Sequence, residues 1–82
     1  MVIVDYTKRF KKSFKKIKDQ SFSSKLKFQI TKIVDNPLIG KPMKFDRKGT
    51  RELYISPYRI SYAYFEKDER IIFLSIYHKD NQ

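Results

Sequence analysis

Apolar residues in this chain change their spacing twice, and each change marks a new kind of element. Val2, Ile3 and Val4 are consecutive β-branched residues, which favour an extended strand from Val2 to Tyr6. Thr7 then stands where a helix N-cap is expected. Tyr6, Phe10, Phe14 and Ile17 recur at helical steps and form one apolar stripe, with Lys8, Lys11, Lys12 and Lys15 falling away from it and Arg9 and Lys16 on its flank. Asp19-Gln20-Ser21 reads as a break. A second helix is expected to start near Ser23 or Ser24, with Phe22, Leu26, Ile30, Ile33 and Val34 on its inner face. Asn36-Pro37 ends it, because the residue before proline is pushed out of the helical region. Phe28 lies opposite the apolar stripe, either as a stray exposed ring or as part of a second contact.

From Pro37 to Thr50 periodicity disappears. This stretch holds both glycines and two of the three prolines, together with Lys41, Lys44, Arg47 and Lys48, and is read as a basic loop in which Met43 and Phe45 turn inward. Beyond it the spacing becomes two. Three strands are expected at Arg51–Ser56, Tyr58–Phe65 and Arg70–Tyr77, joined by a Ser-Pro-Tyr corner and by Glu66-Lys67-Asp68-Glu69. Strict alternation directs Leu53, Ile55, Ile60, Tyr62, Tyr64, Ile72, Leu74 and Ile76 to the helices. Glu52, Tyr54, Arg59, Ser61, Ser75, Tyr77 and Lys79 then share an opposite, open face. The expected fold is therefore α+β: an N-terminal strand, a helical hairpin and a three-stranded antiparallel meander, with the helices packed on one face of the sheet.

Length and charge narrow the class. Eighty-two residues suffice for a single domain, residues 1–82, with one modest core. Seven Phe and six Tyr supply large buried areas in a short chain. With no Cys and one His, disulfides and the usual zinc sites are set aside and no metal or other cofactor is expected. There is no Gly-rich phosphate loop and no nucleophile elbow. No run has the length of a membrane span or a signal sequence, so a cytoplasmic protein without a membrane partner is expected. Nineteen Lys and Arg against nine Asp and Glu give a net charge of +10. A polyanion is the natural partner for such a domain, although a lysine-rich surface also serves solubility.

The chemistry left open is that of a basic, tyrosine-bearing sheet face. RNA carries its own nucleophile, the 2′-hydroxyl, so a ribonuclease needs only to position it, move protons and stabilise charge at phosphorus. Arg59 suits the last role because its planar fork spans two phosphate oxygens. The plainer reading of Arg59 is a surface arginine paired with Glu52 on the next strand.

Tyr58-Arg59-Ile60-Ser61-Tyr62, followed by Ile71-Ile72-Phe73-Leu74-Ser75-Ile76-Tyr77 and His78-Lys79, resembles the RelE/ParE toxin superfamily. That family shows a Tyr-Arg-apolar-x-Tyr strand and then an apolar strand ending in two basic residues. Asp35-Asn36-Pro37 with Gly40 and Lys41 also resembles the family pattern, and the element order agrees over essentially the whole chain. The resemblance implies the toxin of a type II toxin–antitoxin pair. In RelE-like members this means a ribosome-dependent, metal-independent endoribonuclease that cuts messenger RNA in the A site, leaving a 2′,3′-cyclic phosphate. Its implied partners are the ribosome, through ribosomal RNA, the messenger, and a cognate acidic antitoxin. ParE-like members inhibit DNA gyrase instead, and an unrelated basic RNA-binding domain remains a third reading. Residue by residue, the resemblance places Arg59 on the scissile phosphate and Lys79 at the position of a C-terminal arginine. It puts His78 and Tyr54 forward as proton-handling candidates. Lys44, Arg47, Lys48 and Arg51, with Lys8, Lys11, Lys12 and Lys15, form the expected RNA-contacting set. Two departures stand out. Glu52 and Tyr54 occupy positions where ribosome-dependent members often carry Lys or Arg, and the C-terminal tyrosine of the best-known members would fall beyond Gln82.

Overall fold

Thr7 and Asp19, two short polar residues, set where the helices begin. In the computed structural model, which describes residues 2–42 and 49–78, the order is β1 (Ile3–Tyr6), α1 (Lys8–Lys16), α2 (Gln20–Asp35), β2 (Lys41–Pro42), β3 (Thr50–Ile55), β4 (Tyr58–Phe65) and β5 (Arg70–His78). Thr7 caps α1 as expected, its hydroxyl accepting from the Phe10 N–H at 3.0 Å. The second helix starts earlier than the Ser23 or Ser24 expected. The Asp19 carboxylate accepts from the N–H groups of Ser21 at 2.9 Å and Phe22 at 3.3 Å, and a negative charge at that end also suits the helix dipole. Phe22 is thereby inside the helix and buried.

The five strands form one sheet in the order β1-β5-β4-β3-β2. β1 runs parallel to β5 and the other pairs are antiparallel. β2 was not expected: Lys41 and Pro42 pair with Glu52 and Arg51 at the edge of β3, inside the stretch read as loop. Both helices lie on one face. α1 places Phe10 against Phe73, ring centroids 5.5 Å apart, and α2 places Phe22 against Tyr58 at 4.6 Å. Leu26, Ile33, Ile60, Tyr62, Ile71 and Phe73 fill the space between the layers and are fully buried. Phe28 is the exposed ring, 59% accessible, with the Lys32 ammonium 4.8 Å above it.

One face assignment in β5 is overturned. Alternation placed Ile72 and Leu74 toward the helices, but Ile71, Phe73 and Ile76 are the buried residues. The pairing explains the switch: Ser61 faces Ser75 whereas Tyr62 faces Phe73, so Leu74 has no opposite number. This extra residue is a β-bulge, which reverses the parity of every side chain before it. Its carbonyl is used by the helix cap, since the Thr7 hydroxyl donates to Leu74 O at 2.7 Å.

Beyond α2 the chain is clasped to the sheet by Tyr62 and Arg51. The buried Tyr62 hydroxyl donates to Pro37 O at 2.7 Å and accepts from the Gly40 N–H at 2.9 Å. Arg51 Nη1 donates to Leu38 O at 3.2 Å and Gly40 O at 2.7 Å. A side chain at residue 40 has no room, because a Cβ there would stand 2.8 Å from Tyr62 Cε1. Burial raises the Tyr62 phenol above its ordinary value of 10.0, outweighing the lowering pull of the Gly40 N–H and the Arg51 guanidinium. The folded state thus favours the neutral phenol. Its contribution is complete below the ordinary tyrosine value and is lost as pH rises through the raised one. Tyr62→Phe is expected to cost about 1–3 kcal/mol at neutral pH, from the orphaned Gly40 N–H and Pro37 carbonyl. It should also flatten the fall in melting temperature on going to strongly alkaline buffer. Melting curves of the two proteins across that range check both effects, and parallel alkaline slopes would disprove the second.

Candidate functional site

Cross-strand register builds a row of side chains on the face away from the helices. Tyr54 of β3 stands opposite Arg59 of β4, and Arg59 opposite Tyr77 of β5. Directly opposed residues project to the same side with Cβ atoms about 5 Å apart. Ile60, next along β4, is fully buried against the helices, so Arg59 and its two neighbours point the other way. Glu52, Ser61 and Ser75 form the adjoining row, in which the two serine hydroxyls lie 2.7 Å apart.

Arg59 is a half-buried cation held from two sides. Its Nη1 donates to Glu52 Oε1 at 2.7 Å, with side-chain exposures of 34% for Arg59 and 14% for Glu52. Its guanidinium carbon lies 5.8 Å from the centre of the Tyr54 ring. The surface arginine paired with Glu52 and the candidate phosphate ligand are therefore the same group. The face is only partly open, since Ser61 and Ala63 are buried while Tyr54 is 51% exposed.

The other candidates are dispersed. His78 is opposite Tyr58 and meets its ring edge-on at 5.6 Å. Tyr58 in turn packs on α2, so His78 points to the helical side, away from Arg59. Arg51, expected among the RNA contacts, also lies on the helical side, opposite the buried Tyr62, where its guanidinium is bonded to the carbonyls of Leu38 and Gly40. Lys8, Lys11, Lys12 and Lys15 are exposed on α1, across the sheet from Arg59, so a ligand centred on Arg59 does not reach them directly. Lys44, Arg47, Lys48 and Lys79 lie outside the described residues, as do Met43 and Phe45. Among the described residues no group of three His, Cys, Asp or Glu comes together as metal ligands would.

Sequence reading missed one further feature, an apolar groove of about 320 Å³ between the two helices. Phe14, Leu26 and Ile30 line it, and Lys11, Lys15 and Lys27 border it. Two of the lysines assigned to the outward basic stripe thus edge an apolar surface. The signal was present in the steps from Phe10 to Lys11 and from Phe14 to Lys15, each lysine one residue beyond a core ring, but which flank meets α2 depends on how the helices cross.

A pair of helices over a five-stranded sheet, with an arginine flanked by tyrosines on the bare side, defines an α+β domain built like several solved toxins. The chain is similar to the RelBE2 toxin–antitoxin complex of Mycobacterium tuberculosis, with 20% identity, a TM-score of 0.81, and coverage of 95% of this chain and 98% of that one. It is similar to the isolated E. coli RelE toxin at 16% identity and a TM-score of 0.82, over 100% of this chain and 88% of that one. It also resembles YafQ from E. coli strain BL21(DE3) at 19% identity and a TM-score of 0.79, covering 98% and 96%. At these identities the likeness is one of fold. A comparison with curated protein sequences finds no match. The family described as the ParE toxin of the type II toxin–antitoxin system parDE matches residues 4–82. The chain belongs to that family, and so to the RelE/ParE superfamily.

Proposed function

We propose that this toxin is an endoribonuclease that cuts messenger RNA in the ribosomal A site, and that Arg59 is its principal charge-stabilising residue. The observation that carries this reading is the position of Arg59, central on the helix-free face and in register between Tyr54 and Tyr77. In the reaction the 2′-oxygen attacks the adjacent phosphorus, the O2′–P bond forms and the P–O5′ bond breaks. The products are a 2′,3′-cyclic phosphate and a 5′-hydroxyl. The 2′-hydroxyl gives up a proton and the leaving 5′-oxygen takes one, and the guanidinium of Arg59 neutralises charge on the non-bridging oxygens. Tyr54 is the proton-handling candidate nearest to it. Lys79 would add a second cation, and His78 faces the other side of the sheet. The net charge of +10 favours docking against ribosomal RNA, with the lysines of α1 serving that contact rather than the chemistry.

The antitoxin partner follows from the same reading. RelE and RelBE2 neighbours were solved as toxin–antitoxin complexes, and the lysine-bordered groove between α1 and α2 suits an acidic amphipathic helix that folds as it binds. A second reading, inhibition of DNA gyrase by binding alone, is favoured by the ParE family match and by the carboxylate of Glu52 against Arg59. Incubation with translating ribosomes decides between the two. Cuts within A-site codons support the nuclease, whereas uncut messenger together with poisoned gyrase overturns it.

Glu52 competes with phosphate for Arg59 under this proposal. Glu52→Gln keeps an acceptor oxygen beside the guanidinium and removes the negative charge. It is expected to tighten binding of single-stranded RNA several-fold and to steepen the salt dependence by about one counterion. Titrations at three salt concentrations check this, and an unchanged affinity and slope would count against phosphate binding at Arg59.

A further inference from the structure

The row Tyr54–Arg59–Tyr77 sets a tyrosine on the strand to each side of one arginine, on three adjacent strands. We propose that Tyr54 and Tyr77 are stacking platforms for the two bases flanking the phosphate held by Arg59, so that this face takes an unpaired dinucleotide step. The inference rests on the RNA reading above and adds what that reading leaves open, namely how the substrate is recognised.

Three observations support it. Neighbouring strands lie about 4.8 Å apart, so the two tyrosines arise from backbones separated by about 10 Å. Bases held at that separation are splayed rather than stacked on each other, which only an unpaired segment permits. Aromatic side chains on a sheet face are the usual platforms for such bases. Second, Tyr54 is 51% exposed, yet its ring lies 5.8 Å from the Arg59 guanidinium, so cation–π attraction orients it beside the phosphate ligand. Third, the adjoining row is polar and internally bonded. Glu52 accepts from Arg59 at 2.7 Å, and the Ser61 and Ser75 hydroxyls lie 2.7 Å apart. The aromatic residues of these two rows are therefore Tyr54 and Tyr77, one on the strand to each side of Arg59.

Stacking is tolerant of base identity because every base has a π-face. The site is thus expected to select single strands over duplexes without a strong choice of sequence. Under this assignment Tyr54 contributes to binding through its ring, whatever its hydroxyl contributes to proton transfer.

The test uses the full chain and a four-nucleotide RNA carrying 2-aminopurine at one or the other central position. A 2′-deoxy sugar before the central phosphate blocks cleavage. Quenching of the probe at both positions is expected with the wild-type protein. Tyr54→Ala should abolish quenching at one position and Tyr77→Ala at the other, each weakening binding by roughly 5- to 150-fold. Tyr54→Phe and Tyr77→Phe should retain both quenching and affinity, which separates the rings from the hydroxyls and guards against misfolding of the alanine variants. If both alanine variants bind and quench like wild type while Arg59→Ala loses affinity, stacking is overturned and the phosphate assignment stands. If the wild-type chain binds no RNA but its tyrosines are needed for contact with gyrase, both readings fail together.

Discussion

Arg59→Ala is expected to slow messenger cleavage on ribosomes by roughly a hundredfold or more, the scale of losing one preorganised charge-stabilising donor. The effect should fall on turnover rather than on ribosome affinity. An interaction that strengthens as charge develops at phosphorus is made mainly in the transition state, while eighteen other Lys and Arg residues share the binding. Glu52 complicates a simple alanine result. With 14% side-chain exposure, its carboxylate would be left half-desolvated without its partner, and stability would fall as well. The double variant Arg59→Ala with Glu52→Gln removes that stranded charge. It should recover stability without recovering rate. Arg59→Lys should restore only part of the rate, since an ammonium cannot span two oxygens as the guanidinium does. Wild-type cleavage by a folded Arg59→Ala protein would remove Arg59 from the chemistry.

Phe73→Ala should give the largest loss of stability. Phe73 is fully buried, and its ring lies 5.3 Å from Tyr6, 5.5 Å from Phe10 and 5.9 Å from Tyr62. It therefore joins β1, α1 and β4 at a single point. Truncating a buried phenylalanine costs about 3–5 kcal/mol through lost burial and the cavity left behind. A domain of 82 residues has about 4–12 kcal/mol in total, so the loss is a large part of the whole. The expected fall in melting temperature is roughly 15 °C or more. By contrast Leu74→Ala, at the partly buried bulge position in the same strand, should cost much less. Equal losses at 73 and 74 would contradict the bulge.

The difference between those two neighbours shows where reading the chain stopped. Both are large apolar residues in one strand, and alternation chose Leu74 over Phe73 for the core. Alternation is a local rule, and it holds only while every residue has an opposite number across the ladder. A bulge breaks it without leaving a mark on the strand's own composition. Once the Leu74 carbonyl is bonded by the Thr7 hydroxyl, sixty-seven residues away in sequence, the reversal has a cause, but that cause is tertiary. β2 is similar: Lys41-Pro42 has no strand signal of its own and is extended because β3 offers an edge.

The candidate site divides in the same way. Arg59, Tyr54 and Tyr77 could be placed on one face from sequence, because β3, β4 and the end of β5 after the bulge keep strict alternation, and parity carries across an antiparallel pair once the turns are known. The positions of the helices were legible from the spacing of Phe10, Phe14, Leu26 and Ile30, which serves no other regular structure. Charge and composition determined that the chain is a small basic domain suited to a polyanion. Tertiary structure alone decided that the Arg51 guanidinium clasps the chain after α2. It alone decided that two of the α1 lysines border an apolar groove. A side chain's face is set by its neighbours along the chain, whereas its partners are set by segments that only folding brings near.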